Sequence, residues 1–294
     1  MGLLNEAGSG FPEEWQFQIG TAVDDWIKLF SRNHHEALVA IRSTVTGAIN
    51  GIQDLLTAVP WWAIIVIIGV LGWRTSRNPV NGLLYALMMF LVGVFGLWSY
   101  TLETISIVIA SVILSVIIGF PIGVLVAVSR RVERFIRPVL DLMQTMPAFV
   151  YLVPAVILFG TGKTPALMAT TIYAIVPMIR MTSHGIVYVD KEVIEAAKAF
   201  GSTTLQALVK VQIPQAMPTI MAGVNQTIMM AMSMVVTCAL IGANGLGMEI
   251  LLATNRTEMG KALLPGIAIV FVAIILDRLT QGSVKRRGEG GDHA

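Results

Sequence analysis

Residues 104–128 read TISIVIASVILSVIIGFPIGVLVAV, twenty-five positions without one charged side chain. A helix needs about 20 apolar residues to cross the hydrocarbon core of a bilayer, and this run exceeds that. Working outward, six further apolar runs flank it, at roughly 59–73, 80–98, 143–159, 165–180, 221–241 and 262–277. The first is short and can borrow Leu55 and Leu56. The runs 143–159 and 165–180 are joined only by Gly160-Thr161-Gly162-Lys163-Thr164, which predicts an antiparallel pair with a tight turn. Pro121, Pro154 and Pro177 lie inside runs and predict kinks that neighbouring helices tolerate. Composition agrees. Of 294 residues, 55% are hydrophobic and 13% charged, against about 25% charged in an ordinary soluble domain. The mean hydropathy is +0.75. The expected fold is an all-α polytopic membrane protein with about seven transmembrane helices.

The polar flanks give an organisation and an orientation. Within residues 1–58, Leu38, Ile41, Val45, Ile49, Ile52 and Leu56 recur at helical spacing among Arg42, Thr44, Asn50 and Gln53. This is an amphipathic helix, too polar to span, that either lies on the membrane or packs against the spans. Pro60-Trp61-Trp62 marks a membrane interface. With the C-terminus in the cytoplasm, the inner segments hold fourteen Lys and Arg and the short outer loops three, Lys163, Arg256 and Lys261. The positive-inside rule then places the N-terminus outside and the C-terminus inside. Residues 1–58 are read as an extracytoplasmic tail with its amphipathic helix and 59–99 as two accessory transmembrane helices. Residues 100–282 form a core of five spans, and 283–294 a basic cytoplasmic tail.

The longest inner segment, about 181–220, is too long for a turn and too polar to span. Residues 191–200 are good helix formers, Gly201 stops or bends that helix, and Ser202 or Thr203 is placed to cap a second. On periodicity alone a bland surface hairpin between spans reads equally well. The residues resolve it by resemblance. Glu195-Ala196-Ala197, then Gly201, then Val211-Gln212-Ile213-Pro214 resembles the coupling-loop signature of ABC importer permeases, with Val211 and Ile213 as conservative departures. The stretch from Arg137 through Gln144-Thr145-Met146-Pro147 to Phe149 and Tyr151 is similar to the permeases of glycine betaine/proline betaine/choline importers. So are Met217-Pro218 to Gly223 and Ala239 to Gly247, and the likeness covers about residues 60–282. The resemblance implies a type I importer permease fold with a cytoplasmic coupling-helix loop. That loop would carry Glu195, Ala196, Ala197, Gly201, Val211, Ile213 and Pro214 against a separate ATPase. It also implies two ATPase copies, a second copy of this chain, and an extracytoplasmic substrate-binding protein. No cofactor is expected in this chain, because ATP and Mg bind the partner ATPase; no nucleic acid is expected, and lipid surrounds the spans. Translocation-path candidates are Met146, Phe149, Tyr151, Tyr173, Met230 and Met234.

Other signals point elsewhere only weakly. Gly160-Thr161-Gly162-Lys163-Thr164 ends like a phosphate-binding loop, but Ile157 stands where that motif needs its first glycine, and no strand is expected before it. Gly242, Gly245 and Gly247 lack dinucleotide-loop spacing and read as a flexible turn. Met229, Met230, Met232 and Met234 fit adaptable helix packing better than substrate contact. His34 and His35 have no ligand cluster around them, and the lone Cys238 excludes a disulfide framework. The rival reading is an ion-coupled secondary transporter of small solutes. It usually needs ionisable groups within the spans, and none of the seven runs carries Asp, Glu, Lys or His in its interior. An intramembrane hydrolase would need a base beside Ser111 or Ser115, and no histidine or carboxylate accompanies them; hydroxyls bonded to their own backbone explain these serines better. The chain is read as a transport subunit and not an enzyme.

Overall fold

The computed structural model describes residues 19–289. Residues 1–18 of the expected N-terminal tail and 290–294 of the basic tail lie outside the described residues, as do the side chains of 19, 21–24 and 282–289. Among the described residues there is no strand. The order begins with α1 (Ile19–Asn33), α2 (His35–Ala58), α3 (Trp61–Ser76), α4 (Pro79–Val94), α5 (Trp98–Val128), α6 (Arg130–Thr145) and α7 (Leu152–Phe159). It continues with α8 (Lys163–Val187), α9 (Lys191–Ala199), α10 (Thr204–Ala207), α11 (Ile213–Thr237), α12 (Leu246–Asn255) and α13 (Met259–Glu289).

The seven apolar runs resolve into three kinds of element. Four helical segments are long and apolar enough to cross a membrane unaided: α5, α8, the continuous rod from α10 through α11 (Thr204–Ile241), and α13 as far as Gln281. Two further runs qualify only as bent pairs, α2 with α3 at 92° and α6 with α7 at 112°. The run 80–98 gives only the sixteen residues of α4, because the chain turns at Phe95–Leu97 with Gly96 at φ +73° and Trp98 already opens α5. The run 143–159 breaks for a local reason. Met146 precedes Pro147, whose ring drives the preceding residue out of the helical region, and Met146 sits at φ −71°, ψ 133°. The expected antiparallel pair therefore consists of the eight-residue α7 against α8, turned over Gly160–Gly162, with amphipathic α6 set at an angle before it.

The core is α5 against α8 against α11. Lipid gives helices little hydrophobic reason to associate, so close packing over small residues has to hold them. A Cβ on Gly123 of α5 would lie 2.6 Å from the Thr182 Cβ and 2.9 Å from the Ile179 carbonyl of α8. Ser111 donates to its own turn at Ile107 as expected, at 2.8 Å, whereas Ser115 donates across the interface to the Thr171 carbonyl at 3.3 Å.

The amphipathic helix α2 packs on the bundle. Ile49 is fully buried with Ile107, Val108 and Leu167, where α5 and α8 begin, and the Thr46 and Thr164 hydroxyls meet at 2.8 Å. Two carboxylates flank the apolar runs within the same helices. Glu103, excluded from the apolar run, lies one turn inside α5, and Asp277 lies one turn inside the apolar part of α13. Each helix extends past the run that predicted it, and each charge has a partner. The Lys163 ammonium is 3.0 Å from Glu103, and Asn225 donates to Asp277 at 2.8 Å.

Candidate functional site

The segment between α8 and α11 is built as two short helices around one glycine. The Asp190 carboxylate accepts from the Glu192 N–H at 2.9 Å and caps α9. Glu195 is thus not a cap; it is exposed, with no hydrogen bond or ion pair among the described residues. At the far end of α9, the Gly201 N–H donates to the Lys198 carbonyl at 2.9 Å and the Ser202 N–H to the Ala197 carbonyl at 3.1 Å. This paired arrangement closes a helix through a left-handed residue, and Gly201 has φ +83°. The cap of the next helix is Thr203. Its hydroxyl accepts from the Gln206 N–H at 3.3 Å while the Gln206 side chain accepts from the Thr203 N–H at 2.9 Å, a reciprocal capping box.

The end of the signature has a mechanical role. Pro214 has no N–H for the carbonyl one turn earlier, and its ring crowds that carbonyl. The turn just before it, Leu208–Gln212, is a wide π-helical turn that absorbs the conflict, so α10 and α11 stay one rod. Ile213 and Ile194 turn inward onto Leu208, Ile186, Val189 and Ile220, fastening the loop to α8 and α11. Val211 is half-buried beside them. Interspersed with the charged and polar residues that face outward are apolar ones uncovered by this chain: Ala196 is exposed, Leu205 is 68% exposed, and Phe200, beside Gly201, is 92% exposed. Phe200 belongs to no recognised motif position. Its sequence signal was only an aromatic next to a helix-ending glycine in a polar loop.

The translocation-path candidates do not form one site. Tyr151, Tyr173, Met146 and Met234 share one cluster, walled by Ala155, Ala166, Ala169 and Ala243. The two tyrosine rings meet edge to face at 5.8 Å and 66°. The Tyr151 hydroxyl donates to the Met143 carbonyl across the α6–α7 break, so it pins that bend. Met234 is fully buried. Phe149 instead points away, 59% exposed, and Met230 packs in a separate cluster with Ile107, Leu167 and Val235. The glycine-rich turn before α8 is not a nucleotide loop. Lys163 opens α8, and its ammonium is taken by Glu103 at 3.0 Å and the Gln53 side-chain carbonyl at 2.7 Å. No group of three metal-ligating side chains occurs among the described residues.

Residues 119–288, which take in the end of α5, all of α8 and α11, the glycine-hinged loop and the π turn, match the family profile described as binding-protein-dependent transport system inner membrane component. The chain belongs to that family. The permease is 43% identical over 257 residues to the glycine betaine/proline betaine transport system permease protein ProW of Escherichia coli (strain K12), covering 87% of this chain and 72% of ProW. It is also 43% identical over 268 residues to the glycine betaine transport system permease protein OpuAB of Bacillus subtilis (strain 168), covering 90% and 93% of the two chains. Among solved structures, an inward-facing form of the MetNI methionine ABC transporter matches with a TM-score of 0.58 at 21% identity, over 68% of this chain and 97% of that one, which shows the fold. The permease is thus a multi-pass inner-membrane subunit of an ABC importer, a transport component and not an enzyme. Its family works with a separate ATPase and a separate substrate-binding protein. No likeness points to an ion-coupled carrier.

Proposed function

We propose that the permease carries a small quaternary or related methylated amine, such as glycine betaine, proline betaine or choline, as a homodimer with two ATPase subunits. The observation that carries the cargo is the 43% identity over most of the chain to permeases named for glycine betaine transport. The chemistry fits it. A methylammonium head is a diffuse cation, and aromatic faces attract it by about 0.5–2 kcal/mol each. Tyr151 and Tyr173, packed with Met146 and Met234, are the aromatic and soft side chains we assign to the translocation path. Helices α7, α8 and α11, around these side chains, contain no Asp or Glu, so tight selection falls to the external binding protein.

The exposed face of α9, Gly201 and Phe200 docks on the ATPase, with Glu195 a partner contact. ATP binding draws the two copies of the loop together. The α10–α11 rod carries that movement into the core, and alternating access follows. The N-terminus lies outside and the C-terminus inside, a reading supported by the fourteen-to-three charge bias. The test is a titration of labelled betaine and choline against the purified permease and against the assembly with its binding protein. Binding that needs the binding protein is expected. Sub-micromolar binding to the permease alone would contradict this division of labour. Uptake of an amino acid or sugar with no competition from any quaternary amine would overturn the cargo.

A further inference from the structure

We infer that α6 is a binding surface for anionic phospholipid, seated in the leaflet where α5 ends, cytoplasmic in the orientation proposed above. The inference rests on membership of the permease family and not on the cargo. Its sequence, RRVERFIRPVLDLMQT, follows α5 after a single residue, Ser129, which caps it. The helix divides into three faces. Val132, Ile136, Leu140 and Met143 turn inward onto Val126, Ile175, Val176 and Ile179 of α5 and α8. Phe135, Val139 and Leu142 are equally apolar but touch no core, and are 74%, 41% and 62% exposed. The remaining arc is polar and carries four exposed arginines, Arg130, Arg131, Arg134 and Arg137.

A helix in water has no use for a second apolar face, and a helix in hydrocarbon has no place for four guanidinium groups. One that meets protein, acyl chains and headgroups on successive faces needs all three. The axis agrees: α6 is bent 112° from α7, so it crosses the direction of that helix instead of continuing it.

The charge pattern selects the lipid. The two carboxylates on α6 are engaged, Glu133 with Arg137 at 3.7 Å and Asp141 with Arg180 of α8 at 2.6 Å. Arg130, Arg131 and Arg134 have no ion pair among the described residues, and they lie in the first turns, next to the end of the α5 span. Basic residues clustered there attract anionic headgroups, each by about fivefold in local enrichment, and arginine adds bidentate pairing with phosphate. The long arginine stems reach the headgroup level while Phe135, Val139 and Leu142 hold the helix in the acyl region.

The experiment uses the full chain in nanodiscs, with Cys238→Ala and a fluorophore on Val139→Cys or Gln144→Cys. A nitroxide on the acyl chain is carried either by phosphatidylglycerol or by phosphatidylcholine. We expect quenching at position 139 and not at 144, where a water-soluble quencher acts instead. Phosphatidylglycerol should quench at 139 several-fold more than phosphatidylcholine, and raised salt should shrink that excess. Arg130→Gln/Arg131→Gln/Arg134→Gln should abolish the preference while leaving the depth unchanged, and the corresponding triple lysine variant should keep it. Equal quenching by both lipids, or an unchanged preference in the triple glutamine variant, would overturn the proposal. So would loss of acyl-chain quenching at 139 when the ATPase is added, which would assign this face to a protein partner.

Discussion

Gly201 is the position where backbone strain and partner docking can be separated. It holds φ +83° and lies between the two hydrogen bonds that close α9, one donated by its own N–H and one by that of Ser202, yet a Cβ built there meets nothing within 4 Å. A side chain at 201 therefore costs the permease only backbone strain, about 1–2 kcal/mol for an ordinary L-residue and less for asparagine, which tolerates the left-handed region. Nine-residue α9 is too short to hold itself together, so that strain falls on the loop. A cost of 1–2 kcal/mol lowers the closed-loop population by roughly 5- to 30-fold. The α5–α8–α11 cluster around Ile107, Leu167 and Ala231 lies elsewhere and keeps its packing. We expect Gly201→Asn, Gly201→Ala and Gly201→Asp to reach the membrane at wild-type levels. Retention of the ATPase on co-purification, and uptake per ATP hydrolysed, should fall in that order, since aspartate adds bulk and charge to the strain. Normal coupling in both Gly201→Ala and Gly201→Asp would refute the reasoning. So would loss of all three variants from the membrane, which would make the glycine a requirement of folding.

Phe200→Ala should leave folding unchanged, since the ring is 92% exposed, and should weaken ATPase affinity by at least about tenfold, measured with purified components. Gly123→Ala should lower the thermal stability of the detergent-solubilised permease by about 1–3 kcal/mol through the clash with Thr182 and Ile179, whereas Gly266→Ala in α13, with nothing within 4 Å, should be neutral or stabilising. Glu103→Gln strands a mostly buried Lys163 and should destabilise by about 2 kcal/mol, with recovery in the Glu103→Gln/Lys163→Gln double variant; a thermal melt reads both. In a Cys238→Ala background, a cysteine at Ser31 should react with an impermeant thiol reagent in intact cells and one at Ser283 should not; the reverse pattern would invert the topology.

Much of the fold was legible in the sequence because lipid imposes one simple demand, a long apolar helix, and residues 104–128, 165–180, 221–241 and 262–277 each sit in such a helix. The breaks were harder to read. Hydropathy averages over Met146-Pro147, where the bend depends on the effect of one ring on the residue before it. The partners of Glu103 and Asp277 were not legible, because Lys163 and Asn225 lie 60 and 52 positions away in sequence. The glycine hinge was readable, and the cap was narrowed to Ser202 or Thr203, since both are local backbone chemistry; the structure selects Thr203. The division of the path candidates was not. Met230 and Met234 lie one turn apart on the same helix, and only tertiary packing sends one to the tyrosine pair and the other to the α5–α8 interface.

The central claim is ATP-driven import of a methylated amine through this chain, and uptake by proteoliposomes tests it most directly. The permease, its ATPase and its binding protein are reconstituted with ATP inside and labelled glycine betaine outside, with no ion gradient. Uptake that requires all three components and ATP, and that other quaternary amines compete away, is the expected result. Uptake that persists without ATPase or binding protein when an ion gradient is applied would contradict it.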